Sequence, residues 1–212
     1  MIALGELEQD ALTEIFNIGV GLAADALYQM TGEHVPLSVP VVELTNQHIA
    51  QQRYARGQQA LYAIRQTYNG AFTTEAVLMF PQESSLALVR MMTGPELANE
   101  DLPEVAQDAM AELGNIILNA VISQLASTLG LRLEGTVPTV SAVQADQVLA
   151  GLAVQTAGAQ SQSHSESQVL ALMIDFQLSA QQVQGDLVFL LDAQSSENLI
   201  ARLTDYVAGT MA

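Results

Sequence analysis

A carboxylate and a carboxamide recur together twice in this chain, and their types and spacing are the best suited to chemistry. Asp10, Glu14, Asn17 and Pro40 are matched 98 residues later by Asp108, Glu112, Asn115 and Pro138. Both copies read Asp-x3-Glu-x2-Asn-x22-Pro. A carboxamide is no general base near neutral pH. It accepts and donates hydrogen bonds at once, so it can orient a water molecule. That suffices where the scissile bond is already activated, as in phosphoryl transfer, where catalysis is chiefly positioning and electrostatics. Other chemistries find little support. His34, His48 and His164 are scattered without metal-ligand spacing and read as surface or loop residues. There is no cysteine, no Ser/His/Asp set in either half, and no Gly-rich loop placed after a strand to cradle phosphate.

The elements that carry the motif follow from the spacing. One helix is expected from about Gly5 to Met30, stopped at Thr31-Gly32. A second is expected from about Asp101, an N-cap with Pro103 in the first turn, to Gly130. At 100° per residue, Asp10, Glu14 and Asn17 fall within roughly 60° of one another, as do Asp108, Glu112, Asn115 and Asn119. The opposite faces carry Leu12, Ile15, Phe16, Gly19, Ala23, Ala26 and Met30, and Ala106, Met110, Leu113, Ile117 and Val121. These apolar stripes are expected to pack on a sheet. The polar stripes then face outward between the apolar shoulders Ala11, Ile18, Leu22, Ala109 and Ile116, as on a protein-docking surface.

An isolated Glu-x-x-Asn is an ordinary solvated helix face. Repetition in register is what marks Glu14, Asn17, Glu112 and Asn115 as functional. Asp10 and Asp108 serve equally well as acids favourable to an early helical turn. Pro40 and Pro138 read as residues that end or edge a strand. Gly19, Gly21 and Gly114 read as allowing close helix packing or relaxing the helix.

Each motif proline lies in a short extended segment, Val39–Leu44 or Val137–Val143. Two further strands follow in each half: Ala60–Tyr68 and Ala71–Phe80, then Gln168–Leu178 and Val183–Leu191, where Leu170, Leu172, Ile174 and Phe176 alternate as one sheet face requires. A closing helix follows, Leu86–Met92 and Glu197–Val207. Here the repeat offset is 111, so the second half has gained 13 residues, placed in the Ser/Gln-rich stretch 155–168, which reads as a flexible loop. The expectation is an α+β fold built by internal duplication. Two helix–three-strand–helix halves, 1–98 and 99–212, form one pseudo-two-fold domain around a six-stranded, mainly antiparallel sheet.

Composition excludes several partners. The formal net charge is −17 with only 6 Lys and Arg, so no basic patch exists for nucleic acid or an anionic membrane. No signal peptide is evident, and apolar runs such as Val169–Ile174 are too short to cross a bilayer, so a cytoplasmic location is expected.

The motif and its context, Glu14-Ile15-Phe16-Asn17-Ile18-Gly19 and Glu112-Leu113-Gly114-Asn115-Ile116-Ile117, resemble the CheC branch of the CheC/CheX/FliY phosphatase family of bacterial chemotaxis. The resemblance covers almost the whole chain. One departure is Leu22, where members often carry Asn. The resemblance implies a substrate, the phosphorylated response regulator CheY, whose aspartyl phosphate holds Mg²⁺. It also implies that Glu14 and Glu112 pair with the regulator's lysine, while Asn17 and Asn115 hold a water in line with the phosphorus. The protein itself would need no cofactor or metal. Two sites of equal standing are expected, in a monomer. Two other readings remain open: a non-catalytic CheY- or CheD-binding or motor-switch-like interaction protein, and a ligand-binding domain.

Overall fold

Two long helices, α1 (Glu6–Thr31) and α4 (Leu102–Thr128), pack against each other over one face of an antiparallel sheet. The computed structural model describes residues 4–55, 60–94, 96, 98, 100–149, 168–178 and 182–210. Both helices end where glycine permits a left-handed turn. Gly32 (φ 74°) donates its N–H to Tyr28 O at 2.8 Å, and the chain leaves α4 through Gly130 (φ 63°).

The remaining elements are β1 (Leu37–Asn46), α2 (Gln47–Ala55), β2 (Ala60–Gly70), β3 (Thr74–Pro81), α3 (Gln82–Thr93), β4 (Leu133–Gly135), β5 (Thr139–Gln144), β6 (Gln168–Gln177), β7 (Gln182–Leu191) and α5 (Ala193–Thr210). The sheet runs β1-β6-β7-β3-β2, with β4 and β5 both paired to β2. Taking β1, β2 and β3 as one set and β5, β6 and β7 as the other, exchanging the sets leaves this order unchanged. The first strand of each set pairs with the hairpin of the other: β1 with β6, and β5 with β2. Either motif therefore sits over a sheet edge that both halves build.

The α+β architecture agrees with the expectation, with three differences. The sheet has seven strands rather than six, because a short strand, β4, precedes the expected segment Val137–Val143, which itself yields β5. The helix α2 was not legible, since its Gln-rich sequence has no apolar period. Its Ala50 joins Val148 and Leu149 to cover the second face of the sheet over Val77, Met79, Val169 and Val188. On α1, Ala26 and Met30 are exposed, whereas Val20 and Leu27 are buried. The buried stripe is turned from its expected position because α1 packs on α4 as well as on the sheet.

The predicted loop at 155–168 lies outside the described residues except for Gln168, which is buried at the start of β6; His164 also lies outside them. Among the described residues one helix is long and apolar enough to cross a membrane by length and composition: Glu104–Thr128, with mean hydropathy 1.3, which the short-run criterion overlooked. Its apolar side is spent on the core, where Ala106, Met110, Leu113, Ile117 and Val121 are all fully buried, as the helical period predicted.

Candidate functional site

Helical phase does place the four principal residues on the outer sides of α1 and α4. Glu14 and Glu112 are exposed, Asn17 and Asn115 half-buried, and Asp10 and Asp108 exposed. One tether is common to both motifs. Gln9 Nε2 donates to Val42 O at 2.9 Å, and Gln107 Nε2 donates to Val140 O at 3.0 Å. Donor and acceptor both obey the 98-residue repeat. Each glutamine ties its helix to its strand one residue before the motif aspartate. Sequence reasoning missed this pair, although Gln-Asp stands in both copies and was there to be read.

Two turns further along, the symmetry ends. On the first motif both Nδ2 protons of Asn17 are spent on backbone. Its Oδ1 accepts the Val39 N–H at 2.9 Å, while its Nδ2 donates to Val39 O at 3.3 Å and to Thr13 O at 2.9 Å. The cause lies in β1. Pro40 has no N–H to give a ladder, and the register between β1 and β6 shifts between Ser38 and Val41. This bulge withdraws the Val39 backbone from the sheet. Asn17 supplies the missing partner, as buried backbone polar groups require.

On the second motif Pro138 produces a break instead. Residues Thr136 to Pro138 lie between β4 and β5 and outside either strand. Val39 is 1% exposed, whereas Val137, its counterpart, is 84% exposed. With that segment drawn away, an open cleft of about 530 Å³ remains, lined by Asp108, Glu112, Asn115, Asn119, Gln66 and Pro138 among others. Asn115 bonds no strand backbone. Its Oδ1 accepts from Asn119 Nδ2 at 2.8 Å, and among the described residues its Nδ2 has no acceptor. The two carboxamides, expected to be equivalent, differ in their hydrogen bonding. Asn17 is spent on structure, and Asn115 keeps donor capacity facing the cleft.

Beneath Asn119 lies a polar cluster that was not anticipated. Gln66 and Tyr68 are buried on the core-facing side of β2, next to Ile64. They reach Asn119 because Gly114 lets α4 approach β2 closely: a Cβ there would collide with Ile64 Cγ2. Gly19 has the same use against Val121 of α4, whereas a Cβ on Gly21 would meet nothing, so Gly21 is no packing glycine. Burial pushes the Tyr68 phenol well above its ordinary pKa, which keeps it a hydrogen-bond donor. No three His, Cys, Asp or Glu residues come together as a metal site among the described residues.

Comparison with known proteins places the two motifs in related families. The CheC-like family model matches residues 7–44, and the model of the chemotaxis phosphatase CheX matches residues 62–150. Each match contains one copy of the motif. The CheY-P phosphatase CheC of Bacillus subtilis (strain 168) is 28% identical over 139 residues, 64% of this chain and 66% of that protein, just under two thirds of its length. Among solved structures, FliY of Thermotoga maritima superposes with a TM-score of 0.72 at 18% identity, covering 98% of this chain and 99% of that one. FliM from its complex with SpeE, from H. pylori, superposes at 0.66 with 7% identity, covering 96% and 97%. At these identities the structural likeness establishes the fold.

Proposed function

Since the chain belongs to the CheC/CheX/FliY family, we propose that it hydrolyses the aspartyl phosphate of a CheY-type response regulator, chiefly at the cleft beside Asn115. The observation that carries this reading is the pairing of an exposed carboxylate, Glu112, with a carboxamide one turn away whose Nδ2 has no acceptor among the described residues. Glu112 pairs with the lysine of the regulator and sets the docking pose. Asn115 enters the regulator's site, where one carboxamide can accept from the attacking water and donate to a phosphoryl oxygen. Water adds to phosphorus, the bond to the aspartate oxygen breaks, and inorganic phosphate and a free carboxylate result. The Mg²⁺ and the leaving group belong to the substrate, so this chain contributes orientation and charge alone.

The same reading gives the first motif a different part. Glu14 is exposed and free to dock a regulator, flanked by exposed Ile18 and Leu22. Asn17 must first exchange its bonds to Val39 before it can hold a water. A binding role for α1 is the specific point in favour of the interaction-protein alternative, confined to that half.

The test is phosphate release from a phosphorylated regulator by wild type, Asn115→Ala and Glu112→Gln. Acceleration is expected to vanish with Asn115→Ala. An Asn115→Ala protein with unchanged turnover would overturn the assignment. Docking can be read separately. The chain contains no lysine, so carbodiimide coupling joins its carboxylates only to amines of the partner or to its own N-terminus. Glu112 should yield a cross-link to the regulator's lysine that Glu112→Gln loses.

A further inference from the structure

The orientation of the Asn115 carboxamide is dictated from below by a chain of hydrogen bonds with a single direction. It starts at Thr136 O, a carbonyl that can only accept, which receives Gln66 Nε2 at 2.7 Å. That contact fixes the Gln66 amide, leaving Gln66 Oε1 to accept from Tyr68 Oη at 2.8 Å. Gln66 Nε2 also donates to Asn119 Oδ1 at 3.3 Å; Tyr68 Oη lies 3.2 Å from the same oxygen, but its one proton is given to Gln66 at the shorter distance. With its oxygen so engaged, Asn119 presents Nδ2 to Asn115 Oδ1. Asn115 is thereby left with its oxygen held toward Asn119 and its Nδ2 toward the cleft.

We infer that Asn119, oriented by Gln66, which Tyr68 holds in turn, is a positioning residue for the phosphatase reaction at Asn115. The inference rests on the proposed role of Asn115 and extends it. A side-chain amide can rotate by half a turn and exchange its donor for its acceptor with little change in shape. A free Asn would spend part of its time presenting the wrong group, and misplacement at a reacting centre is costly. The network, buried at Gln66 and Tyr68 and exposed at Asn119, restricts that freedom, since reversing any one amide sets donor against donor or acceptor against acceptor. Gly135 serves the same arrangement: a Cβ there would stand 2.8 Å from both Gln66 Nε2 and Tyr68 Cε1.

The first motif supplies the internal control. Ninety-eight residues before Asn119 stands Gly21, and the core-facing side of β6 reads Leu170, Leu172, Ile174 and Phe176, its one polar member, Gln168, standing at the strand's start. That half has no relay, and its Asn17 is fixed by strand backbone instead. The polar pair Gln66 and Tyr68 is therefore not required in mid-strand by the fold as such, since the repeat fills the middle of β6 on that face with Leu170, Leu172 and Ile174.

The decisive variant is Asn119→Asp. It keeps size, packing and the side chain's place on the helix, but a carboxylate cannot donate to Asn115 Oδ1 and attracts Asn115 Nδ2 instead. Turnover of phosphorylated regulator should fall about tenfold to a hundredfold, with KM unchanged. Binding of the regulator activated with beryllofluoride should stay within about twofold of wild type. The side-chain amide proton resonances of Asn115 should move in the same variant without any substrate. Tyr68→Phe, which removes one donor from the buried end, should lower turnover by a smaller factor and serves if Asn119→Asp does not fold. Wild-type turnover in a folded Asn119→Asp protein, or a loss of regulator binding equal to the loss of turnover, overturns the positioning role. Asn115→Ala measured alongside separates the two claims. If it is inactive while Asn119→Asp is not, only the relay fails. If Asn115→Ala is fully active, the site itself was misassigned.

Discussion

Asn17 and Asn115 stand at the same point of two copies of one motif, yet one is spent on the backbone and the other faces an open cleft. The helices that carry them are alike in phase, and the Gln9 and Gln107 tethers hold helix to strand with the same bond in both halves. The divergence comes from the strands. In the first half the chain passes Pro40 through a bulge and stays in the sheet, so Val39 is pressed under α1 and takes the carboxamide. In the second half the chain leaves the sheet after Thr136, whose N–H still donates to Thr67 O, and returns at Thr139, so Val137 swings outward and the carboxamide is left to side chains. The lesson is that a repeated motif fixes where a group is carried, while the local path of a neighbouring strand decides whether that group is available.

The comparison predicts unequal mutants, and the activity difference should be the largest. Asn115→Ala is expected to lower phosphate release roughly a hundredfold, and Asn17→Ala by less than twofold. Equal losses in initial-rate assays would break the comparison outright. Stability should show the reverse. Asn17→Ala leaves the Val39 N–H and C=O without their partner, at a cost of about 2 kcal/mol, or roughly 4–8 °C in Tm for a chain of this size. Asn115→Ala has no such debt, and its melting curve should overlay that of wild type.

Packing gives a third contrast. Gly114→Ala drives a methyl into Ile64, at a cost of about 1–3 kcal/mol. It should also lower turnover by pushing α4 from Gln66 and Tyr68. Gly21→Ala meets nothing and should stabilise the protein by about 1 kcal/mol, the ordinary helix-propensity gain. Denaturant titration reads both, and a destabilising Gly21→Ala would show that the first half hides a contact of its own. The smallest effect is expected from the tethers. Gln9→Ala and Gln107→Ala each remove one side chain–backbone bond, so they should cost similar amounts, about 1 kcal/mol. A marked inequality there would mean that the halves diverge before the asparagines are reached.

Much of this arrangement was legible in the residues. The helix ends followed from Gly32 and Gly130, and the buried stripe of α4 from its 3.6-residue period, because both are local properties of the backbone. Alternation in β6 announced its two faces for the same reason. What escaped was the non-local part. Gln66, between Ile64 and Tyr68, has the look of a solvent-facing strand residue until α4 is seen to lie above it through the close approach of Gly114 to Ile64. The helix α2 escaped because it is held by the far face of the sheet rather than by any pattern of its own. The three-residue β4 is too short to carry a signal, and only its pairing to Tyr68, Asn69 and Gly70 defines it.

By itself, the amino-acid order determined which side of each long helix would carry a carboxylate and an amide, since rotation per residue is a constant of the helix. It also determined that the same pair would appear twice. Only the tertiary structure decided which amide keeps its N–H donors unspent among the described residues. That outcome depends on hydrogen bonds closed between segments far apart in the chain, Val39 with Asn17 in one half, and Gln66 and Thr136 beneath Asn119 in the other. A polar group's capacity is used up by whatever folds against it, and no local spacing records what that will be.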